Sequence, residues 1–151
     1  IKCRLVYMRD ETQRLVDRAF AADNEIVSFA DAYPFLIIGQ SSLDDLNNRL
    51  KEKLPMNRFR PNFVFSGGEP FSEDKWKKIR IGEVVFHFVK PCSRCVTTTV
   101  NQDTAEKKEE PLKTLSTYRR VNNKIYFGQN LLHDGNGILK VGDEIEILEQ
   151  K

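Results

Sequence analysis

Short apolar runs separated by turn residues recur along the chain, and most of them carry the two-residue period of half-buried strands. Ile1, Cys3, Leu5 and Tyr7 alternate with Lys2 and Arg4, which predicts a first strand over 1–7. Residues 25–30 and 35–38 read as two short strands interrupted at Tyr33-Pro34. A helix is expected to start at Ser41 or Ser42. There Ser42-Leu43-Asp44-Asp45 offers a hydroxyl for the free amides and acids at the positive end. Leu43, Leu46, Leu50 and Leu54 then recur at helical spacing, and Pro55 stops the run. Residues 63–65 make a strand ending at Gly67-Gly68, and 73–78 a helical turn.

Two later segments share one pattern. In 79–84 and again in 139–144 an apolar pair meets a Gly-acid turn and a new strand follows, as at barrel corners. Residues 84–89 are apolar on both faces, which predicts a central strand. The β-branched stretch 95–100 is expected to continue the sheet. Residues 101–110 read as a polar loop, and 111–118 as a short helix with Pro in its first turn. Strands over 125–132 and 137–148 complete the sheet. The expected fold is mostly β, barrel-like and closed or nearly so, with a few short helices.

Composition narrows the function classes. A chain of 151 residues holds one domain with a real core and is short for two, so 1–151 is read as a single domain. Because it starts at Ile1 inside a predicted strand, it is expected to be the C-terminal part of a longer protein. Lys plus Arg number 24 against 22 Asp plus Glu, well short of the basic excess of a duplex reader, so no nucleic-acid partner is expected. No apolar run approaches the roughly 20 residues of a membrane helix. Cys3, Cys92 and Cys95 lack framework spacing and read as reduced thiols, which suits the cytoplasm or another reducing compartment.

Pro91-Cys92-Ser93-Arg94-Cys95 is the densest candidate chemistry. Thioredoxin-like redox chemistry needs the CxxC pair to open a helix, and the β-branched residues after Cys95 argue against that. Structural zinc needs four ligands, and only Cys3, His87 and His133 remain, at no recognisable spacing. Two readings stay open: one cysteine is a thiolate ligand of a soft-ligand metal, with Arg94 holding the thiolate, or both are small buried hydrophobes. Arg58, Arg60 and Asn62 form a second cluster, able to fork onto a phosphate or pterin carbonyl, or simply a solvated basic loop. Ser41 and Ser42 fit helix capping better than anion binding. His87 is expected on a strand and His133 at a turn.

Nine short motifs occur in a fixed order. They are Ser-Phe-Ala-Asp-Ala at 28–32, Ser-Leu-Asp-Asp-Leu-Asn at 42–47, Arg-Phe-Arg-Pro-Asn at 58–62 and Lys-Pro-Cys-Ser-Arg-Cys at 90–95. Thr-Thr-Val at 98–100, Glu-Pro-Leu at 110–112, Tyr-Arg at 118–119, Phe-Gly-Gln-Asn at 127–130 and Val-Gly-Asp at 141–143 follow. With these the chain resembles the MOSC domain (molybdenum cofactor sulfurase C-terminal domain). The branch it resembles contains the amidoxime-reducing components and bacterial hydroxylaminopurine-detoxifying reductases.

The resemblance implies a β-barrel-like fold carrying a molybdopterin, with Cys95 binding the metal as catalytic residue and Ser93, Arg94, Arg60, Asn62 and Asn130 lining the cofactor. It implies two-electron reduction of small N-hydroxylated substrates, fed by an electron-donor protein of ferredoxin, flavoprotein or cytochrome type. An upstream half would supply basic residues to the cofactor phosphate. Two other roles belong to the same family: a sulfur-carrier module holding a cysteine persulfide, preceded in sulfurases by a pyridoxal-phosphate domain, and a degenerate, non-catalytic binding domain. Asn101 and Ala105 depart from the Asp and Gly common at those positions.

Overall fold

A computed structural model describes residues 2–9, 11–16, 19, 26–30 and 32–151. Its frame is one curled, half-barrel sheet in the order β2-β1-β6-β4-β3-β7. These strands are β1 (Phe35–Gly39), β2 (Phe63–Phe65), β3 (Trp76–Ile81), β4 (Val84–Ser93), β6 (Lys124–Asp134) and β7 (Ile145–Gln150). A short β5 (Arg120–Val121) forms a hairpin with the start of β6. All pairings are antiparallel except β1 with β2. Helices are few and short: α1 (Gln40–Asn48) and α2 (Leu112–Ser116), with 3₁₀ turns at Met56–Phe59, Ser72–Lys75 and Val96–Thr99.

The strand period explains how one sheet serves two cores. Along β1, Ile37 points into a cluster with Phe65, Trp76, Ile79, Phe86 and Leu131. Its neighbours Leu36 and Ile38 point the other way, onto Leu43 and Leu46 of α1, Phe59, Leu115 of α2 and Phe127. The four-residue apolar run of the sequence is thus buried on both faces. β4 is central, between β3 and β6, as expected. One of its faces is fully buried through Val84, Phe86 and Phe88, while His87 on the other is only partly covered.

Several sequence expectations are corrected. Residues 2–9 form no strand, and Leu5, Val6 and Tyr7 stand exposed, because no strand lies beside them among the described residues; Ile1 lies outside these. The strand expected over 25–30 is a single bridge from Ile26 to Leu15; Glu25 too lies outside the described residues. α1 starts at Gln40 and ends at Asn48, short of Leu50 and Leu54. The cause is Asn47, whose side chain accepts from the Leu54 amide at 2.8 Å and donates to its carbonyl at 3.0 Å, so the chain folds back early. The helical turn expected over 73–78 is the 3₁₀ turn Ser72–Lys75, after which Trp76 already belongs to β3. β7 is confined to Ile145–Gln150, and Gly142, at positive φ, interrupts the stretch before it. His133 lies on β6, packed against the rings of Phe35 and Phe86, and not at a turn.

Ser42 does not cap α1. Its hydroxyl lies 2.9 and 3.0 Å from the two carboxyl oxygens of fully buried Glu73, and its oxygen accepts from the Phe71 amide at 2.8 Å. The Gly39 amide adds a second donor to Glu73 at 3.2 Å. Burial pushes the Glu73 carboxyl up, against these hydrogen bonds, which favour the charged form.

Candidate functional site

β4 delivers the cysteine motif to the edge of the sheet. Cys92 is still on the strand and packs, half-buried, against the cluster around Phe59 and Phe127. The chain then leaves the sheet. The Arg94 amide donates to the Ile125 carbonyl at 2.8 Å, and Cys95 caps the 3₁₀ turn Val96–Thr99 with its thiol exposed. The two sulfurs therefore occupy different environments, one packed and one solvent-facing.

The strand expected over 95–100 is replaced by that turn for a local reason. The Thr98 hydroxyl donates to the Cys95 carbonyl at 2.9 Å and the Thr99 hydroxyl to the Val96 carbonyl at 2.7 Å. These backbone contacts three residues back compete with sheet pairing and override β-propensity. The turn also brings Thr97 to the thiol, with Cys95 Sγ and Thr97 Oγ1 3.3 Å apart. The Thr97 hydroxyl and amide hold the Cys95 thiol below its ordinary range, with a smaller contribution from the Arg94 charge. Sequence reasoning missed Thr97; a hydroxyl two residues after the cysteine was its only trace.

Two arginines tie this turn to the 58–62 segment. Arg94 donates through Nη2 to the Phe59 carbonyl at 2.7 Å and through Nη1 to Cys92 Sγ at 2.9 Å, while its Nε is enclosed without a partner among the described residues. Arg58 donates through Nε to the Thr98 carbonyl at 3.1 Å. Consecutive residues of Arg-Phe-Arg face different ways: Arg58 is buried, Phe59 is stacked on Phe127, and Arg60, at φ 53°, is exposed with no side-chain partner among the described residues. The three residues predicted to act together are thus divided.

The remaining sequence-predicted residues come from three separate segments. Asn62 accepts from the Leu36 amide at 2.9 Å through Oδ1, and its own amide returns a bond to the Leu36 carbonyl. That leaves the Asn62 side-chain NH2 without a partner among the described residues. Asn130 pairs with Leu36 of β1 and Lys90 of β4 in the sheet register, and its Nδ2 reaches the Lys90 carbonyl at 3.3 Å. Ser93, at the end of β4, is exposed. His87 is engaged with Asp134 at 2.6 Å, which holds that carboxyl below its usual range. Among the described residues no three of His, Cys, Asp and Glu gather as a metal site.

The donor set fits a soft-metal cofactor with anionic groups. It offers one solvent-facing sulfur inclined to the thiolate, an uncommitted guanidinium at Arg60 and an uncommitted amide at Asn62. The 3₁₀ turns that carry Cys95 and lead to Arg60 pack against each other. Replacing Thr97 by valine is expected to raise the Cys95 pKa. In a Cys3→Ser background, the pH profile of iodoacetamide labelling should then move to higher pH and labelling at pH 7 should slow. An unchanged profile would show that Thr97 does not set the thiol.

Fold and site together define a half-barrel with the solvent-facing Cys95 thiol just beyond a central strand. The chain belongs to the MOSC domain family, whose model matches residues 24–146. It is 39% identical over 153 residues to mitochondrial amidoxime-reducing component 1 of Homo sapiens, covering 95% of this chain and 45% of that protein. It is 43% identical over 125 residues to molybdenum cofactor sulfurase of Oryza sativa subsp. japonica, covering 76% of this chain and 15% of that protein. The chain thus spans less than half the length of the amidoxime-reducing components it matches. No helix among the described residues is long and apolar enough to cross a membrane.

Proposed function

We propose that this chain is the molybdenum-cofactor-binding part of an oxidoreductase that reduces small N-hydroxylated compounds in a reducing compartment, and that residues 1–151 form one domain of a longer protein. The observation that carries the reading is the Cys95 thiol, exposed at the end of β4 and lowered in pKa by Thr97. A thiolate is a soft donor that supports a metal cycling between oxidation states. When bound, the cofactor supplies the two-electron chemistry that converts an N–OH group, two electrons and two protons to N–H and water.

The residues of the chain then have distinct tasks. Cys95 is the metal ligand. Arg60, the Asn62 amide and the Ser93 hydroxyl bind the cofactor's anionic and heterocyclic groups, and Asn130 borders them from β6. Arg94 also acts as a positioning residue, since its two terminal nitrogens hold Cys92 and Phe59. Electrons come from a partner of ferredoxin, flavoprotein or cytochrome type.

A second reading has its own support in the similarity to a molybdenum cofactor sulfurase. In it, Cys95 carries a persulfide for transfer. Molybdenum and pterin content of the full-length protein, purified from a cofactor-competent host, separates the two. Near-stoichiometric molybdenum with reduction of an amidoxime by a dithionite-reduced viologen supports the reductase. A metal-free protein with cyanide-labile sulfur on Cys95 would overturn it in favour of the sulfur carrier, and one lacking both would point to a degenerate domain.

A further inference from the structure

Arg58 is 5% exposed, yet its Nε bond to the Thr98 carbonyl is its only side-chain hydrogen bond among the described residues. None of the ion pairs formed by the described residues includes it. A guanidinium stays protonated at any physiological pH, and a buried one without a counter-charge is costly. Arg58 lines a cleft of about 590 Å3 that Cys95 does not line.

The charges around that cleft are unevenly satisfied. Glu52 and Glu106 both turn to Lys108, at 3.2 and 3.8 Å, and Glu109 is held by Lys113 at 2.9 Å. The Glu110 carboxylate accepts from the amide and hydroxyl of Thr114, both at 3.0 Å. Every lining carboxylate thus has a partner, whereas Arg58, Lys51 and Lys53 have no carboxylate among the described residues. Leu50, Leu54 and Pro55 complete the wall and lower the local dielectric.

We infer that this cleft binds a small oxyanion of the phosphate class, with Arg58 as its buried fork and Lys51 and Lys53 at the rim. Arg58 presents two terminal nitrogens in one plane, the geometry that receives two oxygens of one anion. The site is separate from the proposed metal ligand. Two contacts join the regions: Arg58 holds Thr98 in the turn that Cys95 opens, and Arg94 holds the carbonyl of the neighbouring Phe59.

The test is calorimetric titration of the full-length protein at constant ionic strength, with chloride as the balancing anion. Inorganic phosphate, a sugar phosphate and citrate are the three arms. Phosphate is expected to bind with measurable heat, and a tighter sugar phosphate would identify an esterified ligand as the source. Arg58→Gln should weaken binding about tenfold or more, the scale of one charge-assisted pair. Because a buried arginine can be needed for folding, the surface variant Lys51→Ser/Lys53→Ser supplies a second measurement and should weaken phosphate by severalfold. No heat above chloride in any arm, stronger binding of citrate than of either phosphate, or equal binding by wild type and both variants would overturn the inference.

Discussion

Gly128→Ala is expected to lower the stability of this protein by about 2–5 kcal/mol. Gly128 has φ +81°, and a Cβ there would lie 2.6 Å from Ile38 Cγ1, 2.9 Å from the Ile37 carbonyl oxygen and 3.1 Å from Leu36 Cδ1. The Ile37 oxygen cannot yield, because β1 and β6 are paired with Ile37 opposite Gln129. The flanking Phe127 and Gln129 are fully buried, so β6 cannot bow outward either. About 1–2 kcal/mol comes from the left-handed backbone and about 1–3 from the overpacked core. Gly135 is the control: at φ +70° nothing lies within 4 Å, so Gly135→Ala should cost only the backbone part, about 1–2 kcal/mol. Urea unfolding measures both. Equal midpoints for the two variants would show that the contact with β1 is not the cause.

The Phe-Gly-Gln-Asn segment illustrates what could be read beforehand. Its apolar run announced a strand, and β6 is there, but nothing in four letters says that the glycine faces another strand's carbonyl. The same holds for Gln129, whose Nε2 donates to Asp74 Oδ1 at 2.6 Å while Arg119 holds the other oxygen of that carboxylate. Periodicity reports which face is apolar; it carries no information about a polar side chain that finds its partner 55 residues away. Strands β1, β2, β4 and β6 were readable because burial and propensity agree there. Where side chains hydrogen-bond their own backbone, at Asn47 and at Thr98 and Thr99, propensity was overruled.

The departures at Asn101 and Ala105 have a physical answer. Asn101 Oδ1 accepts from the amides of Asp103 and Thr104 at 2.8 and 3.2 Å, as a carboxylate would. Ala105 has φ 59°, the conformation that favours the glycine it replaces. The loop keeps its turn and carries local strain. At the candidate site, geometry separates residues that the resemblance groups together. Arg58 and Arg60 look equivalent in Arg-Phe-Arg, yet a 3₁₀ turn ending in a left-handed residue sends one inward and one outward.

The same separation of neighbours governs the two cysteines. Cys95→Ser in the full-length protein is expected to abolish molybdenum retention, whereas Cys92→Ser should keep most of the metal and lose stability instead. Cys92 lies on β4 and is packed against the core, while Cys95 lies beyond the strand, at the start of the 3₁₀ turn, with its thiol exposed. A serine at 92 can still accept the Arg94 Nη1 hydrogen bond that the sulfur accepts at 2.9 Å, so the Arg94 clamp on Phe59 survives. What is lost is the larger, apolar sulfur in a cluster with Phe59 and Phe127, about 1–2 kcal/mol for a hydroxyl placed there. A serine at 95 loses no packing, since its side chain faces solvent, but an alcohol does not ionise near neutral pH and is a poor soft-metal donor. Metal content by mass spectrometry and the unfolding midpoint should therefore respond in crossed fashion to the two substitutions. Equal metal loss in both variants would remove the distinction between ligand and packing cysteine. Full metal in Cys95→Ser would exclude Cys95 as the ligand.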